Sequence, residues 1–235
     1  MSIVGPQIEG LVCWLNGRNL WRTLKKIQIE KYTSKPVIQI PLWVNSNDFY
    51  PIMNKTGLRD KYKMNGNDYL VGSFQRDSLG SDLSKPKLIK GPDIFLEIVK
   101  KLSKQNDNLK IILAGKRRDY IIKNLIDLEI NFKYFEMASI ETLNELYNIL
   151  DIYIVSSRIE GGPQAILECA ITKTPVISTD VGIASEIFDK GSIFDMSSYK
   201  EAKPDIEFAY HKASRYKLPK GIDRFTTKFR SIYES

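Results

Sequence analysis

The sequence predicts an α/β fold, a doubly wound parallel sheet in one domain that spans residues 53–200. Three observations lead to this prediction. From residue 68 onward, short apolar runs of strand length alternate with stretches whose apolar residues recur at helical spacing. Gly, Pro, Ser and Asn separate these runs, as expected of turns. No internal repeat interrupts the alternation, and strands that alternate with helices form parallel sheets through right-handed crossovers.

Two of the predicted helices have a local start signal. Ser139 is expected to cap a helix, with Glu141 and Thr142 in its first turn, and Gly91-Pro92-Asp93 is expected to open another. The predicted strands are 69–74, 109–115, 132–135, 151–156, 175–179 and 191–194. The predicted helices are 91–102, 118–128, 139–150, 163–172 and 185–188.

The segments that flank this domain carry weaker signals. Residues 1–35 are polar and helix-prone, a short apolar strand is predicted at 36–40, and residues 42–52 have the composition of a connector. Residues 201–235 are expected to be mostly helical. Apolar residues recur at helical spacing in both flanks, namely Leu20, Leu24 and Ile27 in the first and Phe225, Phe229 and Ile232 in the second.

The composition is that of an ordinary globular protein, with 43% hydrophobic and 27% charged residues. No apolar run approaches the ~20 residues of a membrane span, and the N-terminus lacks a signal-peptide pattern. We therefore expect a cytoplasmic protein, with a peripheral position at the membrane as a second expectation. Cys13 and Cys169 are expected to be buried free thiols. His211, the one histidine, is expected at the surface, which argues against a histidine-based triad or zinc site.

The net charge of +7 is unevenly distributed. Residues 1–123 hold 22 Lys and Arg against 11 Asp and Glu, whereas the remainder hold 13 against 17. A basic half indicates either an anionic partner or simply a lysine-rich solvated surface. Because no recognition motif or aromatic stacking platform is present, nucleic acid is not expected as a partner.

The most informative stretch runs from Ser156 to Glu168. A predicted strand ends in a turn with Gly161 and Gly162, and Pro163 is suited to the first position of a helix. Free N–H groups at such a helix start, together with its dipole, form a site for a diphosphate. Glu160 and Glu168 would repel a bare anion but suit a ligand that also presents hydroxyls. The alternative is a capped helix with two ordinary surface glutamates.

The segment from Glu160 to Glu168, followed by the strand and glycine loop of residues 175–182, is similar to the signature of family-4 (group 1) retaining glycosyltransferases. The resemblance covers roughly residues 36–196. Members of that family have two Rossmann-like domains, the GT-B architecture, and this chain resembles the C-terminal, nucleotide-sugar-binding half. Further matching segments are 38–49, Val71-Gly72, Lys90-Gly91-Pro92-Asp93 and 143–157.

The resemblance implies roles for individual residues. Lys90, joined by Arg76, would neutralise the departing diphosphate, Glu160 would hold hydroxyls of the transferred sugar, and Glu168 would bind the ribose. Met137 would flank the base. The resemblance places the remaining donor contacts at Gly72, Gly161, Gly162, Pro163, Gln164, Ala165 and Ile166. No Asp-x-Asp pair is present, so we expect neither a metal nor a cofactor besides the nucleoside diphosphate sugar itself.

Two departures from the family pattern stand out near the predicted strand ends. The family has Gly-Arg directly at the end of its first strand, whereas here Ser73 follows Gly72 and the arginine comes later, at Arg76. After the second strand, Gly115 is followed by Lys116-Arg117-Arg118 in place of Gly-x-Gly. That triplet is either a solvated helix start or an extra anion contact.

A third departure concerns the acceptor domain, which needs well over 100 residues before the connector, whereas residues 1–52 hold at most its short remnant. We therefore expect a donor-binding domain that transfers a hexose with retention and needs an acceptor domain from elsewhere. A partner chain could supply that domain, and the acceptor would be a glycan or a lipid-linked molecule. The alternative is a non-catalytic nucleotide-sugar-binding subunit or pseudo-enzyme of a split glycosyltransferase.

Overall fold

The computed structural model describes residue 34 and residues 42–81, 83–195 and 197–233. The predicted helix over residues 1–35 and the predicted strand 36–40 lie outside these residues, apart from residue 34, as do Cys13 and the side chain of Ile232.

The described chain alternates strands and helices from Tyr69 to Ser178. The strands are β1 (Tyr69–Ser73), β2 (Ser78–Leu79), β3 (Lys85–Pro86), β4 (Leu109–Ala114), β5 (Phe132–Phe135), β6 (Ile152–Val155) and β7 (Val176–Ser178). The helices are α1 (Lys55–Lys61), α2 (Pro92–Ser103), α3 (Asp119–Asp127), α4 (Ile140–Ile149), α5 (Gln164–Thr172), α6 (Ala184–Ile187), α7 (Ile206–Ala213) and α8 (Lys220–Tyr233). Short 3₁₀ turns occupy Leu88–Lys90, Lys190–Ser192 and Ser214–Tyr216.

Five strands form one parallel sheet in the order β5-β4-β1-β6-β7. The chain winds outward from β1 through β4 to β5, returns to the other side of β1 as β6 and ends at β7. This is the predicted doubly wound topology. Its direction reverses between β1 and β6, and ligands of such sheets bind beyond the carboxyl ends of the strands at that reversal. The remaining pair, β2 and β3, forms a small antiparallel hairpin in the loop after β1.

Both faces of the sheet are covered by helices, which explains why its strands are apolar on both sides. On one face, α2 and α3 bury Phe95, Ile98 and Leu125 against β1 and β4. On the other face, α4 and α5 bury Leu146 and Leu167 against β1 and β6. The predicted cap of α4 is confirmed, because the Ser139 hydroxyl accepts from the Thr142 N–H at 3.1 Å.

Two local predictions are wrong. Residues 191–194 form no strand, because Asp189 accepts from the Gly191 N–H at 2.7 Å and closes a 3₁₀ turn, which leaves only a single bridge between Ser178 and Ile193. Pro163 lies in the cap position of α5 rather than in its first turn, so the helix begins one residue later than predicted.

The connector is fastened at one end to the sheet domain and at the other to the C-terminal segment. The side-chain amides of Asn144 and Asn148, one turn apart on α4, bond the main chain of Tyr50 and Ile52 at 2.7 to 3.0 Å. At the other end, the Val44 N–H donates to the Tyr216 carbonyl at 2.9 Å. Trp43 packs edge-on against Phe225 of α8. Among the described helices, none combines the length and apolar character that crossing a membrane requires.

Candidate functional site

The loops after β1 and β6 meet the 3₁₀ turn Leu88–Lys90 at the carboxyl edge of the sheet. Gly91 fixes this meeting, because it has φ +62° and a Cβ there would lie 1.8 Å from the Ser156 carbonyl oxygen. The main-chain N–H of Arg158 donates to the Ile89 carbonyl at 3.0 Å, and its guanidinium binds both oxygens of Asp93 at the start of α2. Lys90 is thereby held against the residues that follow β6.

The ammonium group of Lys90 contacts the carboxylate of Glu160 directly. The other carboxylate oxygen of Glu160 lies 2.8 Å from the hydroxyl of Ser157, and that hydroxyl lies 3.0 Å from the side-chain oxygen of Gln75. The amide nitrogen of Gln75 donates to the Lys90 carbonyl at 2.8 Å and to the Ser156 hydroxyl at 3.2 Å. We call these four residues, Gln75, Lys90, Ser157 and Glu160, the switch-point network.

The charge on Lys90 is held in an unfavourable setting. Burial, together with repulsion from Lys87 and Arg76, lowers the pKa of Lys90 from 10.5 to about 8. Contact with the Glu160 carboxylate favours the charged form. An ammonium that is partly desolvated, surrounded by cations and neutralised by one carboxylate has the properties expected of a group that can exchange that carboxylate for a ligand anion.

Glu168 lies on α5, and the hydroxyl of Tyr147 donates to its carboxylate at 2.7 Å. Burial raises the pKa of Glu168, and the hydrogen bond from Tyr147 opposes that shift. The ring of Tyr147 packs against Phe74, which follows β1. Glu168 is therefore oriented from a neighbouring helix rather than lying free on the surface, contrary to the alternative of two ordinary surface glutamates.

The turn between Glu160 and α5 lets main chain approach main chain. Gly161 and Gly162 are buried, and a Cβ on Gly182, in the loop after β7, would lie 2.7 Å from the nitrogen of Gly162. Within the described residues, neither a main-chain acceptor nor a capping side chain takes the N–H groups of Gln164 and Ala165. The Ile166 N–H, in contrast, donates to the Pro163 carbonyl at 3.0 Å. The first turn of α5 thus presents two N–H donors beside Glu160.

The other predicted site residues lie at varied positions. Arg76 is exposed in the loop after β1, and Met137 is 73% exposed in the loop after β5. Gly72 lies inside β1, where its missing side chain makes room for Leu150. The structure thus gives Gly72 a packing role, and its donor contact stays a prediction, as do those of Arg76 and Met137.

The third residue of the Lys116-Arg117-Arg118 triplet has neither of the two roles predicted for the triplet. Arg118 is fully buried, with its Nε 2.6 Å from Asp77 and a terminal nitrogen donating to the Ser73 carbonyl at 2.7 Å. It is neither solvated nor placed to contact a ligand. Its partner is a buried aspartate four residues after β1, which no sequence pattern marks.

Gln75, Ser157 and Tyr147 belong to the site but were absent from the predicted set. Ser157 stood inside the most informative stretch, and a small hydroxyl directly after a strand end was the available signal. Nothing in a single sequence distinguishes Gln75 or Tyr147 from other residues of a loop or of a helix face.

Residues 85–227 match the family model described as glycosyl transferases group 1. The chain is 29% identical over 202 residues to a probable sucrose-phosphate synthase of Thermosipho melanesiensis, an alignment that covers 81% of this chain and 44% of the relative. This chain therefore spans less than half the length of that curated relative.

Solved structures share the fold at low identity. A sucrose-phosphate synthase from Thermosynechococcus elongatus superposes with a TM-score of 0.68 at 14% identity, over 86% of this chain and 54% of that one. The Anabaena protein Alr3699/HepE, in complex with UDP-glucose, superposes with a TM-score of 0.58 at 16% identity, over 82% of this chain and 56% of that one.

Proposed function

Because the chain belongs to the group 1 glycosyltransferase family, we propose that its carboxyl-edge site binds a nucleoside diphosphate sugar and serves the transfer of a hexose from it with retention. One observation carries the proposal. Lys90 contacts Glu160 just before α5, the first turn of α5 has no capping side chain, and Glu168 lies on the same helix. This arrangement offers positive charge and N–H donors to a diphosphate and carboxylates to hydroxyls.

Lys90 and the start of α5 would bind the diphosphate together. The N–H groups of Gln164 and Ala165 point out of a helix N-terminus, where the helix dipole favours an anion. As the bond to the sugar breaks, negative charge grows on the departing diphosphate, and a fixed ammonium and fixed N–H donors stabilise that charge without reorganisation. We propose that these groups, with Arg76, make a metal ion unnecessary.

The two glutamates would recognise the hydroxyl-bearing ends of the donor. Glu160 precedes the anion site and is proposed to accept hydrogen bonds from the sugar, whereas Glu168, oriented by Tyr147, is proposed to accept from the ribose. Charge-assisted hydrogen bonds of this kind are among the stronger polar contacts in proteins. UDP-glucose is the first donor to test, because the Anabaena structure holds it.

An acceptor surface is proposed to come from outside the described residues, either from another part of the protein or from a partner chain. This follows from the coverage of 44% and 54% in the two sucrose-phosphate synthase comparisons. That surface would form the opposing wall of the cleft, where it would bind the acceptor, a glycan or a lipid-linked molecule, and exclude water. In the alternative function, the chain is a non-catalytic subunit. It would then bind the donor, but adding an acceptor or a partner chain would not produce sugar transfer by this site.

Calorimetry with UDP-glucose in the presence of a chelator tests the proposal. The parent chain should bind, Glu168→Ala should weaken binding by about 1.5–3 kcal/mol through lost charge-assisted hydrogen bonds, and Lys90→Ala should weaken UDP more than uridine. Glu97→Ala and Lys101→Ala, which remove an exposed pair on α2, serve as charge-matched controls and should bind like the parent. Parent-like binding by the two site variants, or binding that needs added magnesium or manganese, contradicts the assignment.

A further inference from the structure

Glu168 is a partly buried carboxylate with one side-chain hydrogen bond within the described part of the chain. The hydroxyl of Tyr147, on α4, donates to it at 2.7 Å. Burial raises the pKa of Glu168, and this hydrogen bond opposes the shift. Among the described residues no cation helps to offset the burial, in contrast to Glu160, which contacts Lys90. The charge on Glu168 therefore depends on one hydroxyl group.

The hydroxyl of Tyr147 is held in place by the packing of its ring. The ring centroids of Phe74, Tyr153 and Phe49 lie 4.9, 5.5 and 6.0 Å from that of Tyr147. A buried ring that is packed on several sides has few alternative rotamers, so its hydroxyl keeps one direction. The donor to Glu168 is thus fixed before any ligand binds.

The other titratable groups within electrostatic reach of Glu168 are Tyr153 of β6 and Cys169 of α5. Burial raises the pKa of each, and that of Tyr147 as well, so all three stay neutral between about pH 5 and pH 8. Over that range, burial and the Tyr147 hydroxyl together determine how Glu168 titrates.

We propose that Tyr147 is a positioning residue for ribose recognition: its hydroxyl keeps the Glu168 carboxylate charged and oriented as an acceptor before the donor arrives. This inference rests on the proposed function of the site. A carboxylate has two oxygens and about four lone-pair sites, so the hydrogen bond from Tyr147 leaves acceptor sites for both ribose hydroxyls. A protonated Glu168 would lack the charge that strengthens these bonds.

The test compares UDP with 2′,3′-dideoxy-UDP, which lacks both ribose hydroxyls. The ratio of their dissociation constants measures the ribose preference, and ionisation of the phosphates or of Lys90 affects both ligands alike. In the parent, this preference should fall as pH falls through the raised pKa of Glu168, because protonation removes the charged acceptor. Tyr147→Phe raises that pKa further, so its preference should be about fivefold below the parent's at about pH 5.5 and within about twofold at about pH 7.5.

Tyr62→Phe is the matched control, because Tyr62 also donates to a glutamate of α4, Glu145, which pairs with Lys61. It should keep the pH profile of the parent. Glu168→Gln does not titrate, so its ribose preference should be flat with pH, with or without the Tyr147 hydroxyl. A Tyr147→Phe profile that superimposes on the parent's overturns the inference, and so does a pH dependence that persists in Glu168→Gln.

A second measurement, chemical denaturation, needs no ligand. A glutamate whose pKa is raised by folding costs stability once pH rises through that pKa, and the cost grows when the pKa is raised further. Tyr147→Phe should therefore change the unfolding equilibrium about fivefold more at about pH 7.5 than at about pH 5. Tyr62→Phe should lose the same stability at both, because the lowered pKa of Glu145 keeps that group charged throughout.

Equal losses for Tyr147→Phe at the two pH values also overturn the inference. A parent chain that binds neither UDP nor its dideoxy analogue instead contradicts the proposed function, whatever the denaturation shows.

Discussion

Two ion pairs flank the loop after β1, and they differ in what surrounds them. Arg118 and Asp77 are joined at 2.6 Å with side chains 0% and 2% exposed, whereas Lys90 and Glu160 are 21% and 13% exposed. Burial lowers the pKa of Arg118 and raises that of Asp77, so both charges are retained against the cost of desolvation. Each pair joins one cation to one carboxylate, but the two pairs differ in solvent access.

The difference in surroundings separates a structural pair from an exchangeable one. Arg118 also donates to the carbonyl and hydroxyl of Ser73, and Asp77 accepts from the hydroxyl of Ser78, so the fold supplies further partners for both members. Lys90, in contrast, has Glu160 as the one acceptor of its ammonium among the described residues. A charge with a single partner at an open edge can change partners, whereas a charge enclosed by the fold cannot.

The largest expected effect distinguishes the pairs by stability. Arg118→Met leaves the Asp77 carboxylate buried without its cation, which should lower the free energy of unfolding by about 3–5 kcal/mol. Lys90→Met breaks a partly exposed pair and leaves Glu160 with the Ser157 hydroxyl as a neighbour, so it should lower the free energy of unfolding by less, about 1 kcal/mol. Chemical denaturation measures both, and the double variant Arg118→Met with Asp77→Leu should recover part of the loss. Equal losses for Arg118→Met and Lys90→Met would remove the distinction.

A smaller effect concerns pH. Because the pKa of Lys90 is lowered to about 8, its ammonium is mostly charged at pH 7 and mostly neutral at pH 9, and the second pKa of a phosphate group, near 6, lies below that range. UDP affinity is therefore expected to be full at pH 7 and to fall about tenfold by pH 9. Lys90→Arg keeps the charge throughout, so its affinity should stay flat over the same range. A parallel decline in both chains would point to a group other than Lys90.

The smallest effect is an increase in affinity. Glu160→Gln removes the negative charge that holds Lys90 in the free protein, so UDP should bind about threefold more tightly. UDP-glucose should bind more weakly, because its hydroxyls then meet a neutral amide in place of a charged carboxylate. Asp77→Asn, the equivalent change in the enclosed pair, should destabilise the fold and leave UDP affinity unchanged. Weaker UDP binding by Glu160→Gln would show that the two groups of the open pair do not compete.

The fold was largely predictable because its signals are local and repeated. The five strands of the sheet follow from apolar spacing, and the α4 cap follows from one serine. The turn before α5 follows from its two consecutive glycines. Gly91 and Lys90 were identified by their resemblance to a family motif. The close approach of Gly91 to Ser156 then explains physically why a glycine follows the lysine.

Two of the features that the sequence leaves unpredicted depend on partners distant in sequence, and a third depends on a side chain two residues away. Arg118 is buried because it pairs with Asp77, 41 positions earlier. A run of three basic residues does not indicate that one of them pairs with a buried carboxylate. Gln75 joins residues from two other loops, and loop residues carry no periodicity that marks a contact. The turn at Lys190–Ser192 arose because an aspartate side chain bonded the main chain, in competition with the strand that the apolar residues predicted.

Cys169 follows Glu168 on α5, but its thiol is fully buried in the core, where burial raises its pKa well above the usual value. Thiol reagents attack the thiolate, so alkylation of this sulfur has to await an opening of the core around α5. In a Cys13→Ser chain, the labelling rate of Cys169 therefore measures that opening. A nucleotide sugar bound at Glu168 would stabilise the closed core through mass action and so lower the labelling rate. The buried thiol of Cys169 would then report whether the donor site on the same helix is occupied.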